Sequence, residues 1–170
     1  MIPAKKSGGD FVDRVRREWS ATYPELDTSP IEVLARIARI ASMSNHAFEA
    51  ALAPEGISRA EFDVLTAIRR AHRPLRASEV TSVTLMSGAS TTKIADRLVR
   101  DGLLERLKLA RDARVVLLQL TDTGRELVDR VFPIRIALDR ELLSGLSENQ
   151  MRTLADLLRE VGSPHVSGNT

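Results

Sequence analysis

The chain has 170 residues, of which 43% are hydrophobic, 28% charged and only 4% aromatic, with a formal net charge of +2. This is ordinary for a soluble globular domain, and an aliphatic core favours packed helices over a sandwich of strands. The absence of cysteine excludes disulfides, thiolate nucleophiles, thiol redox sensing and Cys-ligated zinc. The sequence has no apolar stretch long enough for a membrane span and no apolar centre of a signal peptide in residues 1–10, so a cytoplasmic location is expected.

Residues 1–9 read as a disordered start. Phe11, Val15 and Trp19 recur at four-residue spacing and predict a short amphipathic helix over 10–20. Ser29-Pro30-Ile31-Glu32 combines an N-cap, a proline at the first helical position and a capping-box acid. It opens a long helix carrying Leu34, Ile37, Ala38, Ala41, Phe48 and Leu52 on one side, ended by Pro54-Glu55-Gly56. A second capping box, Ser58-Arg59-Ala60-Glu61, starts a helix with Phe62, Leu65 and Ile68 that runs to about His72, before Pro74. A third, short helix is expected from Ser78 to about Leu85.

Its partner follows the turn at Met86-Ser87. Ser87 suits an N-cap, and Gly88, Ala89 and Ser90 keep bulk away from whatever approaches the helix start. Ile94, Ala95 and Leu98 fall at helical spacing and are expected to face inward, leaving Ser90, Thr91, Lys93, Arg97 and Arg100 outward. Gly102 suits the left-handed residue past a helix end, and Leu103-Leu104 begins an extended run. The aliphatic run 115–120 predicts a second strand, and the intervening segment carries Lys108, Arg111, Asp112 and Arg114. Between Ser87 and Arg114 seven cations face four acids, a local net charge of +3 against +2 for the whole chain, so the positive charge is placed rather than diffuse. From Thr121 the helical period returns with Leu127, Val128, Val131, Ile134, Leu138 and Leu142, and Pro133 is expected to bend this helix without preventing it. Ser147-Glu148-Asn149-Gln150 caps a last helix carrying Met151, Leu154, Leu157, Leu158 and Val161, followed by a flexible tail over 163–170.

These residues resemble the MarR family of winged-helix transcriptional regulators. The resemblance rests on Thr92-Lys93-Ile94-Ala95-Asp96-Arg97-Leu98 with Gly102-Leu103-Leu104, and on Asp112-Ala113-Arg114 with Leu120-Thr121-Asp122-Thr123-Gly124-Arg125. It implies a mainly α fold with a small β wing, organised as N-terminal helices over 10–52, a winged helix-turn-helix over 57–120 and C-terminal helices over 121–162, with the terminal helices forming a homodimer interface. It also implies binding of double-stranded DNA at an inverted-repeat operator, no catalysis and no cofactor, and release by a small aromatic or carboxylated effector. By the same resemblance the helix nose at Ser87 and Gly88 enters the groove, Ser90, Thr91 and Lys93 meet bases, and Ser78 and Thr81 hold phosphates. Arg97, Arg100 and Arg106 neutralise the DNA backbone. The wing of the family commonly carries Asp-Arg-Arg; here Ala113 replaces the middle residue, so Arg114 is the minor-groove candidate, with Arg111 as the alternative. Trp19 and Asp63 are similar to residues with which one branch of the family binds urate-like anions, although the arginine which that branch carries in its recognition helix aligns with Ile94 here. The expected site lies between the N-terminal helices and the winged domain. A dimerisation domain of an enzyme, or a winged helix used only for protein contacts, are the rival readings. The scattered His46, His72 and His165 offer no metal-ligand spacing.

Overall fold

The computed structural model describes residues 9–84, 86–109 and 112–162, with the backbone alone described at 109 and 112–115. The expected disordered start over 1–8, the tail 163–170, Leu85 and Arg111 lie outside the described residues. The elements run α1 (Phe11–Thr22), α2 (Pro30–Leu52), a 3-10 turn (Ala53–Glu55), α3 (Arg59–Ala71), β1 (Leu75–Arg76), α4 (Ala77–Thr84), α5 (Gly88–Arg100), β2 (Leu104–Leu109), β3 (Asp112–Leu120), α6 (Asp122–Leu142) and α7 (Glu148–Gly162). The fold is mainly α with a small wing, as the sequence implies. Strand β1 was not anticipated, because two residues carry no readable period. The chain divides into two compact units between Ala47 and Phe48, within α2.

In the first unit, Asp10 caps α1 and forms a capping box with Asp13. Arg36 of α2 bonds Asp10 at 2.9 and 3.0 Å and Asp13 at 2.6 Å. The backbone N–H groups that Asp10 accepts, together with Arg36, hold its carboxyl below the usual range. Arg16 pairs with Glu32, and the hydroxyls of Ser20 and Thr28 meet at 2.6 Å. A short amphipathic helix with one buried residue, Val12, is thus fixed to its neighbour largely by polar contacts.

In the second unit, Phe48, Leu52, Phe62, Val64, Leu65, Val80, Leu98, Leu104, Leu118, Val128 and Val131 form one aliphatic core. Phe48 and Phe62 meet edge to face at 5.1 Å between ring centres. The sheet order is β1-β3-β2, all antiparallel, with Leu104 opposite Leu120 and Leu75 opposite Leu118. Alternation puts Leu118 and Leu120 inward. Helix α6 runs through Pro133 as one element. Asp129 bonds Arg69 of α3 at 2.9 and 3.1 Å, and Arg130 reaches Glu55 at 2.6 Å.

The exit of α5 and the entry of α6 are built on one another. Gly102 adopts φ +73°, its N–H bonds the Val99 carbonyl at 3.2 Å, and the Leu103 N–H reaches back to the Leu98 carbonyl at 2.9 Å. These two bonds make a Schellman motif. Thr121 then donates its backbone N–H to the Leu103 carbonyl at 3.2 Å and its hydroxyl to the Gly102 carbonyl at 2.7 Å, while its Oγ1 accepts the Gly124 N–H at 3.0 Å. A Cβ on Gly124 would stand 2.1 Å from the Leu103 carbonyl oxygen. Because the obstacle is backbone, Gly124→Ala should lower the unfolding free energy in urea by about 1–3 kcal/mol. An alanine variant as stable as the parent would show that this contact does not fix α6.

Candidate nucleic-acid interface

The first turn of α5 presents small and polar groups to solvent. Ser87 is extended at φ −72°, ψ 153°, and its Oγ accepts the Ser90 N–H at 3.1 Å. Its hydroxyl also donates to Ser90 Oγ at 2.9 Å. Gly88 has open space where a Cβ would be, and Ser87, Gly88, Ala89, Ser90, Thr92 and Lys93 are all exposed. The positive end of the helix dipole lies at this nose, where it favours phosphate oxygens. Opposite, Thr91, Ala95 and Leu98 are buried at i, i+4 and i+7.

Thr91 therefore departs from the expectation that it meets bases. It is fully buried, and its hydroxyl lies 3.1 Å from the Ser87 carbonyl oxygen and 3.0 Å from the hydroxyl of Thr81. Thr81 is partly buried, and its hydroxyl lies 2.9 Å from the Ala77 carbonyl. Thr92, which the sequence reading passed over, occupies the exposed position instead and bonds the Gly88 carbonyl at 2.9 Å. The i, i+4, i+7 spacing of Thr91 with Ala95 and Leu98 carried the signal, but the hydroxyl concealed it.

The cations fall into two groups. Arg97 is half exposed, but its Nε lies 3.1 Å from Glu61 and 3.5 Å from Asp101, and its Nη2 reaches the Gly56 carbonyl at 3.3 Å. Arg106 of β2 pairs with Asp96 of α5. Lys93, Arg100 and Lys108 have no acid partner among the described residues and remain available to an incoming anion. Ser78 is exposed in the first turn of α4. Beside it Arg76, a cation at an N-terminal boundary where acids are usual, shares an open groove with Arg73, Ser78 and Leu117. Glu79 accepts Arg73 at 2.6 Å and the Arg76 backbone N–H at 2.8 Å, which hold its carboxyl below the ordinary range. Of Arg114 only the backbone is described, within β3; Arg111 lies outside the described residues.

The two residues expected at an effector site belong to different units. Trp19 is 47% exposed and stacks on Tyr23, with ring centres 5.7 Å apart and planes 17° from parallel. Asp63 lies on the solvent side of α3. Its side chain is 45% exposed and faces Arg59 at 3.6 Å, because the i,i+4 partner lies on the solvent side of α3.

Glu61 was read as a cap and has a second role. It is 3% exposed and accepts the Ser58 N–H and hydroxyl at 2.7 and 2.9 Å while facing Arg97. Removing Arg97 leaves a buried carboxylate short of a partner, whereas Gln at position 61 keeps the capping bonds and leaves Arg97 to water. Arg97→Ala should thus cost about 1–3 kcal/mol and Glu61→Gln less than about 1 kcal/mol in urea unfolding. The reverse order would remove the strut role.

Residues 55–115 match the model of the MarR family. The HTH-type transcriptional regulator PecS of Dickeya dadantii is 30% identical over 152 residues, 88% of this chain and 92% of that protein. The multiple antibiotic resistance protein MarR of Escherichia coli is 35% identical over 113 residues, covering 65% of this chain and 76% of its own. Among solved structures, a mutant MarR from Escherichia coli complexed with operator DNA superposes with a TM-score of 0.72 at 28% identity, over 82% of this chain and 99% of the other. With the exposed nose of α5, its buried rear and the wing of β2 and β3 on one scaffold, this chain belongs to the MarR family of DNA-binding helix-turn-helix transcriptional regulators.

Proposed function

We propose that this protein is a homodimeric repressor that reads a palindromic operator through α5 and the wing and releases it on binding a small aromatic or carboxylated compound. The observation that carries the reading is the exposed row Ser87, Gly88, Ser90, Thr92 and Lys93 on a helix whose opposite side is sealed into the core. Ser90, Thr92 and Lys93 reach base edges, while Lys93, Arg100, Lys108 and Arg76 neutralise phosphates. Ser78 holds a phosphate beside the groove, and Arg114 or Arg111 enters the minor groove. Arg97 and Arg106 serve as struts, because their guanidinium groups already face Glu61 and Asp96.

The homodimer is supported by apolar surface that its own helices leave uncovered. Helix α7 has no buried residue, with Leu157 54% and Val161 57% exposed, and Phe132, Ile134 and Ile136 of α6 and Val33, Leu34 and Ile40 of α2 are exposed too. A second copy covering such faces would bury on the order of 2,000 Å² or more. Two-fold symmetry would then set recognition helices roughly 34–36 Å apart, facing an inverted repeat. The exposed Trp19–Tyr23 stack supports an aromatic effector.

Selection of duplexes from a random pool should enrich an inverted repeat bound by a species of twice the chain mass in light scattering. Lys93→Ala and Arg114→Ala should each weaken operator binding without dissociating the dimer, and each should reduce the salt slope by about one. Unchanged affinity in both variants would reject the DNA reading, and a monomer at micromolar concentration would reject the two-fold one. A panel of phenolic acids and purines should contain a compound that raises the melting temperature and displaces DNA; a panel with neither effect would reject the effector.

A further inference from the structure

Thr81 and Thr91 form a hydroxyl bridge between the two helices of the helix-turn-helix, at 3.0 Å, with Thr91 fully buried and Thr81 partly buried. Thr81 Oγ1 also lies 2.9 Å from the Ala77 carbonyl oxygen, and Thr91 Oγ1 lies 3.1 Å from that of Ser87. Two hydroxyl protons thus face three contacts. In the bridged arrangement Thr81 donates to Thr91, which donates to Ser87. The Ala77 carbonyl, left over in that arrangement, still has a helical partner by the regular pattern of α4.

A buried hydroxyl is unfavourable beside an aliphatic core unless it is bonded, and here its bond runs to the other helix. The anchor point on α5 is its first turn, one residue from Ser90 and Thr92. The anchor point on α4 is the middle of the helix, whose start carries Ser78. A slide or rotation of α5 on α4 would break the bridge before it lost much apolar contact, since Thr91 and its neighbour Ala95 are small. Leu98, deeper in the core, holds α5 in place but lies two turns from the nose.

We infer that Thr81 and Thr91 are a positioning pair that sets the register of the α5 nose against α4, so that operator discrimination depends on a hydroxyl bridge within the fold rather than on a base contact. The inference builds on the DNA reading above. The donor arithmetic makes it separable from folding. Thr91→Val leaves Thr81 donating to Ala77, and Thr81→Val leaves Thr91 donating to Ser87, so neither variant strands a buried donor. Each removes the link between the helices together with the substituted residue's own bond to a carbonyl of its helix region, Ala77 for Thr81 and Ser87 for Thr91.

The test compares affinity for the duplex selected by the parent protein with affinity for a scrambled duplex of equal length and salt. Thr81→Val and Thr91→Val should keep the parent circular dichroism and nonspecific affinity, while the ratio of specific to nonspecific affinity falls by about tenfold, the scale of one lost base contact. Thr91→Ser, which keeps the hydroxyl, should restore the ratio. If Thr91→Val fails to fold, Thr81→Val at the half-buried end carries the comparison. Valine variants whose ratio stays within about twofold of the parent would overturn the pair as a specificity device, whatever their melting temperature. A parent chain that prefers no duplex would overturn the operator reading instead, and this inference with it.

Discussion

A helix that reads a groove must be fixed in rotation about its own axis, because about 100° separates one residue's direction from the next. In this protein that rotation is set by three kinds of contact. Ala95 and Leu98 enter the aliphatic core, Arg97 is drawn to the buried Glu61 at the start of α3, and Thr91 bonds Thr81 of α4. The Schellman exit at Gly102 then places Leu103, whose carbonyl receives Thr121, so that α6 begins where α5 has ended. With those four attachments in place, Ser90, Thr92 and Lys93 have only solvent to face.

The same attachments sort the cations. A side-chain cation already facing a carboxylate has less to gain from a phosphate than one without an acid partner. Arg97 and Arg106 are of the first kind and, among the described residues, Lys93, Arg100 and Lys108 of the second. A count of positive residues in the sequence treats them alike. The acids Glu61, Asp96 and Asp101 thus decide which cations are spent on the fold.

Polar attachment is also the pattern at the N-terminus, where Arg36 gathers Asp10 and Asp13 and where Ser20 meets Thr28. There the apolar side chains of α2 stay exposed, as do those of α7.

Sequence alone determined the helices, several of their caps and the wing, because these follow from local rules: Ser58 with Glu61, Ser87 before a glycine, Gly102 near the end of α5, and an aliphatic run before Thr121; at α2 the expected box of Ser29 and Glu32 gives way to a Ser29 bond to Asp27 and a Glu32 pair with Arg16. The amphipathic split of α5 was legible for Ile94, Ala95 and Leu98, whose hydropathy declares their side. Thr91 and Thr92, two neighbours of identical chemistry, one sealed in and one exposed, differ in helical phase, which puts Thr91 in line with Ala95 and Leu98. What the sequence did not show is the partner of the buried hydroxyl, Thr81, ten residues away on another helix. Arg97 and Asp63 went the same way: each carries a charge that composition assigns to a function, and each found its partner in the fold, Arg97 in a buried carboxylate and Asp63 in an arginine one turn away. Local structure is written in neighbouring residues, whereas the partner of a polar side chain is chosen by whatever the folded chain brings within three or four ångströms, which only the tertiary structure decides.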